Sequence, residues 1–82
     1  MNTAVEYLTF LVKGIVQHPE NVSVLEKKDD MGTLLTVSVD KNDMGRVIGK
    51  SGDTAYAIRT LCHSFGFNVK AKVSVKISEP AL

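Results

Sequence analysis

Residues 44 to 52 read MGRVIGKSG: three glycines, two basic side chains and a serine directly after a strand-like run, a composition suited to gripping phosphate. Two geometries compete for it. The triphosphate-binding loop, GxxxxGK followed by Ser or Thr, wraps a glycine-rich backbone around phosphates and needs four residues between its glycines. Only Arg46, Val47 and Ile48 separate Gly45 from Gly49, so that loop would be one residue too tight. Gly49-Lys50-Ser51-Gly52 instead has the GxxG spacing, whose backbone clamps the sugar-phosphate chain of single-stranded nucleic acid. The plainer alternative is that Gly49 ends one helix and Gly52 starts another, with Lys50 and Ser51 facing solvent.

Other chemistry is sparse. The one cysteine, Cys62, excludes an internal disulfide and any multi-cysteine zinc site. His63 follows it directly, so on a helix the two point about 100° apart, and His18 lies beyond a different helix. No metal and no cofactor is expected. Serines and acids occur, but nothing sets a base beside a nucleophile with an orienting acid behind it, so no enzyme is expected.

The elements that must position the loop follow from periodicity. Between Thr3 and Gln17, Ala4, Leu8, Leu11, Val12, Ile15 and Val16 recur at helical spacing, which predicts an amphipathic helix ending near Gln17 ahead of Pro19. Val22 to Lys27 and Thr33 to Val39 read as a hairpin around DDMG, with Leu35, Val37 and Val39 on the buried face. Asp40 is placed to cap a new turn, and Asp43 adds negative charge to it. Met44, Val47 and Ile48 at i, i+3, i+4 make a short helix before GKSG. Asp53 or Thr54 then caps a second helix carrying Ala55, Ile58, Leu61, Cys62 and Phe65, which Gly66 should stop. From Phe67 to Ser78 the chain alternates, with Phe67, Val69, Ala71, Val73, Val75 and Ile77 on one side, predicting a closing strand. The glycines of GKSG, set between helices, let a backbone approach closely at a helix N-terminus that favours an anion.

The 82 residues, 44% apolar, are expected to form a single domain over residues 1–82 with a core at about 4–78 and a frayed EPAL tail. No apolar run approaches the roughly 18 residues of a membrane span, and the N-terminus does not resemble a secretory signal. A cytoplasmic location is expected. A net charge of +1 means that any nucleic-acid binding must come from local placement of charge.

The order helix-strand-strand-helix-GKSG-helix-strand, the string DMGRVIGKSG, the HPE after the first helix, AIRTL at Ala57 to Leu61 and the closing VSVKI together resemble a type II KH domain. More closely, the chain is similar to the small single-domain bacterial KH proteins of the KhpA type. The resemblance implies an α+β fold, order α-β-β-α-α-β, with helices on one face of a three-stranded sheet. It implies a non-catalytic protein of bacterial RNA metabolism that binds single-stranded RNA, with no small-molecule substrate and no membrane. It further implies self-association, a larger KhpB-type partner, and an RNA-chaperone role tied to cell shape and division. Gly49, Lys50, Ser51 and Gly52 would meet the RNA backbone. A groove for about four nucleotides would run between Arg46, Val47 and Ile48 on one side and Val69 to Lys72 on the other, with Lys70 and Lys72 among its cations.

Related loops carry a basic residue after the second glycine, whereas this chain has Asp53, so weak, salt-sensitive binding is expected. Arg59 and Tyr56 share a helix face with His63 and offer a phosphate partner and a stacking ring, or simply a solvated stripe. Lys76 has the same two readings. The competing function is a protein-interaction module that homodimerises or docks a larger KH partner through the Ala55, Tyr56 and Arg59 face, with RNA secondary.

Overall fold

The structure is a computed structural model and describes residues 3–78. Helix α1 (Ala4–Lys13) starts at Thr3, whose side chain accepts from the Glu6 amide while its hydroxyl donates to Glu6 Oε1. This reciprocal cap satisfies a free amide of the first turn. Leu8 and Val12 are fully buried. The helix ends at Gly14, short of the expected Gln17. Beyond it the Gln17 and His18 amides each donate to a carboxylate oxygen of Asp43 at 3.0 Å, which draws the chain out of helical geometry.

Strands β1 (Ser23–Asp29) and β2 (Gly32–Ser38) form an antiparallel hairpin whose two-residue turn is Asp30-Met31. The ladder therefore reaches further into the DDMG segment than the pattern predicts. Strand β3 (Val73–Ile77) pairs parallel to β2, giving a mixed sheet in the order β1-β2-β3. Leu35, Val37 and Val39 are buried as the alternation requires.

After β2, a turn of 3-10 helix (Lys41–Asp43) is capped by Asp40, which accepts from the Asn42 amide at 2.8 Å. That bond first, aided by Asn21 and by nearby His18, holds the Asp40 carboxyl below the usual value. Helix α2 (Met44–Ile48) follows, then the GKSG turn, then the sixteen-residue α3 (Asp53–Asn68). Ala4, Leu8 and Val12 of α1, Val47 of α2, and Ile58 and Cys62 of α3 join Leu35, Val37, Val39 and Val73 in one core, so all three helices cover one face of the sheet. Tyr7 of α1 stacks on Phe65 of α3, ring centroids 4.8 Å apart.

Two expectations change here. Gly66 does not stop α3 but lies inside it, buried, where a Cβ would sit 2.5 Å from the Ala71 carbonyl oxygen. The helix needs a hydrogen there to let the returning chain pass. The closing strand covers only Val73–Ile77; Phe67 and Asn68 belong to α3, and Phe67 and Val69 are exposed. The EPAL tail lies outside the described residues.

Candidate nucleic-acid interface

The GKSG turn is built by three residues at positive φ. Gly49 takes φ 79°, ψ 175°, Ser51 φ 57°, and Gly52 φ 79°, ψ 13°. Gly49 has a second reason to lack a side chain, because a Cβ there would overlap Asp53 Oδ1 and Thr54 Oγ1. Gly52 needs only its conformational freedom, since nothing lies within 4 Å of its would-be Cβ. Ser51 holds a left-handed conformation without being glycine, a local strain of about 1–2 kcal/mol.

Gly52, rather than Asp53 or Thr54, is the N-cap of α3, and no side chain caps it. Asp53 is the first helical residue, with its carboxylate turned against Gly49. The Gly52 amide donates to the Gly49 carbonyl and the Asp53 amide to the Lys50 carbonyl, so two amides expected to face an anion are already committed. The attraction for a phosphate therefore rests on exposed Lys50 and the dipole of α3.

On α2 the expected contacts separate. Val47 is fully buried in the core and presents no surface in this arrangement. Arg46 is exposed, its Nε 3.9 Å from Asp43 Oδ1, and Ile48 is 39% exposed. Asp43, which sequence reasoning assigns to the helix dipole, is instead fully buried and ties the segment after α1 to the start of α2 through the Gln17 and His18 amides. No local signal marks it, since its partners lie about 25 residues away in the chain.

A shallow cleft of about 470 Å³ runs between α3 and the edge strand β3, lined by Tyr56, Arg59, Thr60, His63, Ser64, Val73 and Ser74. Arg59 spans it, donating Nε–H to the Val75 carbonyl at 3.3 Å. The Lys72 carbonyl and Ser78 amide bond β2, so by alternation the peptide groups of Val73, Val75 and Ile77 face the open edge. Ala55 is buried, which removes it from the exposed face that sequence reasoning gave it with Tyr56 and Arg59. Lys70 and Lys72 sit in the connector before β3, at the opposite end of α3 from GKSG, about 24 Å away along the helix. They line a separate hollow that shares His63 with the cleft, and Lys70 is itself left-handed at φ 57°. Charge is segregated accordingly: residues 44 to 78 hold six Lys and Arg against the single acid Asp53. This asymmetry, hidden in the net +1, is the sequence signal for the face that total charge conceals.

A three-stranded sheet with this mixed pairing, three helices on one face and a GxxG turn between the last two defines a type II KH domain. The family model for the KH domain of KhpA/KhpB matches residues 5–77, and the chain belongs to that family. It is 47% identical over 68 residues to the RNA-binding protein KhpA of Leifsonia xyli, covering 83% of this chain and 90% of that one. It is 42% identical over 74 residues to the RNA-binding protein KhpA of Listeria monocytogenes, covering 90% of this chain and 97% of the other. With the RNA-binding protein KhpA of Bacillus subtilis it shares 38% over 72 residues, 88% of this chain and 89% of that one. Among solved structures, Aquifex aeolicus Era bound to GDP.AlF4- superposes with a TM-score of 0.67 at 15% identity, over 90% of this chain and 29% of that one. That last likeness speaks for the fold alone.

Proposed function

We propose that this chain is a non-catalytic RNA-binding protein that holds the backbone of single-stranded RNA at GKSG and lays the bases into the cleft between α3 and β3. The observation that carries the reading is the exposed Lys50 in the turn that leads into α3, the helix whose side forms, with Arg59 across it, a cleft against the open edge of β3. Relatives at 38–47% identity are themselves RNA-binding proteins. Base edges would exchange hydrogen bonds with the open peptide groups of β3, and Arg59 would trade its bond to Val75 for a phosphate or a base. Sequence preference stays weak, because backbone contacts carry little base information. Asp53 beside Gly49 lowers the affinity through its charge.

The test is the salt dependence of single-stranded RNA binding. Each phosphate contact contributes a slope of about −0.7 in log K against log salt, so Lys50→Ala should flatten the slope by about that amount. An unchanged slope and affinity would remove the loop from the interface.

A second reading, in which pairing with itself or a larger KH protein is the main role, has one observation in its favour. Phe10 on α1 is 61% exposed beside Val5 and Thr9, an apolar spot away from the cleft. Light scattering on wild type and Phe10→Glu would show a dimer and its loss if that reading holds.

A further inference from the structure

Phe67 is the anomaly of the basic face. It is 70% exposed on the last turn of α3, and His63 packs edge-on against it with ring centroids 4.8 Å apart and planes at 79°. The two rings share a hollow of about 420 Å³ with Lys70, Ala71 and Lys72, and among the described residues no acid lines it. Among the described residues neither lysine is in an ion pair. His63 lines both this hollow and the cleft beside β3, so the two adjoin at its ring. Tyr56, 72% exposed, stands at the other end of the same helical stripe.

We propose that Phe67, steadied by His63 and flanked by Lys70 and Lys72, is a stacking platform for a base of the same RNA strand beyond the groove, with the lysines on its phosphates. The inference rests on the reading of GKSG as the RNA clamp. An exposed aromatic ring beside unpaired cations is the arrangement by which single-stranded nucleic acid is held without sequence preference. The span agrees. From Gly52 to Phe67 is about 22 Å along the helix, so Phe67 stands at the far end from the turn. The groove takes about four nucleotides, and Phe67 would meet a nucleotide that follows them. The left-handed Lys70 turns the chain around the hollow directly after the helix.

The experiment measures binding of fluorescein-labelled oligoadenylates of four and eight nucleotides by anisotropy, with circular dichroism confirming the fold of each variant. Wild type should bind the octamer about tenfold more tightly than the tetramer. Phe67→Ala should abolish that gain while leaving the tetramer unchanged. Phe67→Trp should keep it, and since the chain has no tryptophan, quenching of the new emission by the octamer alone would report stacking directly. The proposal is overturned if the octamer gains nothing, if Phe67→Ala weakens both lengths equally, or if it changes only the molecular mass seen by light scattering, which would make the ring a protein contact. The clamp reading fails separately: tetramer binding unaffected by Lys50→Asp with Ser51→Asp would discard GKSG while leaving the Phe67 result to stand. If neither oligomer binds, both readings fall.

Discussion

Replacing Asp43 tests whether the start of α2, the short helix that leads into GKSG, is anchored to the segment after α1. Its two carboxylate oxygens accept the Gln17 and His18 amides at 3.0 Å each, and the residue is fully buried. Asparagine keeps the shape but presents one NH2 group to a backbone N–H, so one bond becomes a donor-donor conflict and the other loses its charge. A hydrogen bond to a charged group contributes about 1.5–3 kcal/mol, and a buried donor left without an acceptor costs about 1–3 kcal/mol. The amides here are only part-buried, so the lower half of these ranges applies and Asp43→Asn should cost about 2–4 kcal/mol. A domain of this size has roughly 4–12 kcal/mol in total. At about 4–8 °C per kcal/mol, the melting temperature should fall by about 8–32 °C. Arg46→Ala should change little, because its pair is 3.9 Å long and half-exposed. Urea unfolding of wild type, Asp43→Asn and Arg46→Ala measures all three. If Asp43→Asn lies within about 0.5 kcal/mol of wild type, a normal experimental difference for surface changes, the carboxylate does not anchor the start of α2.

Gly49→Ala should destabilise more than Gly52→Ala, since both have φ near 79° but only the first meets Asp53 and Thr54; the second should cost about 1–2 kcal/mol from backbone strain alone, as denaturant titration would show. Gly66→Ala should be destabilising even though alanine favours an exposed helix by about 1 kcal/mol, because its methyl would press on the Ala71 carbonyl; a gain in melting temperature would contradict that packing. Burial pushes the Cys62 thiol from 9.0 up to about 11. The native state thus keeps its proton while the unfolded chain loses it, so the stabilisation is fully present below pH 9.0 and is lost as pH rises through about 11. Cys62→Ala should remove that part of the slope in stability against pH, at the expense of a small cavity.

Much of the architecture can be read from the chain because its local signals agree with its tertiary structure. Alternation at Leu35, Val37 and Val39 and the spacing of Ala4, Leu8 and Val12 each mark a face that is buried. The GKSG turn is legible because glycine alone tolerates the crowded positive-φ position at 49. The errors come where two patterns overlap. Phe67 and Val69 continue the alternation of β3, yet Phe67 also lies four residues after His63, and the helix takes it. Gly66 resembles a stop signal, but only the path of residues 71 to 73 across the helix shows why a side chain is excluded there. Asp43 resembles an ordinary first-turn acid, because its amide partners come from α1's far side of the chain. Val47 is a groove residue only by the family resemblance; its own spacing from Met44 marks it for the core, where it lies fully buried.

The central claim is that GKSG holds an RNA backbone. Its most direct test is anisotropy of labelled single-stranded RNA against wild type and Lys50→Asp with Ser51→Asp, at two salt concentrations. Both positions are exposed, and aspartate tolerates the left-handed conformation at 51, so the variant should fold as wild type does. Salt-sensitive binding by wild type and none by the folded variant are the expected results. Equal binding by the two would contradict the claim.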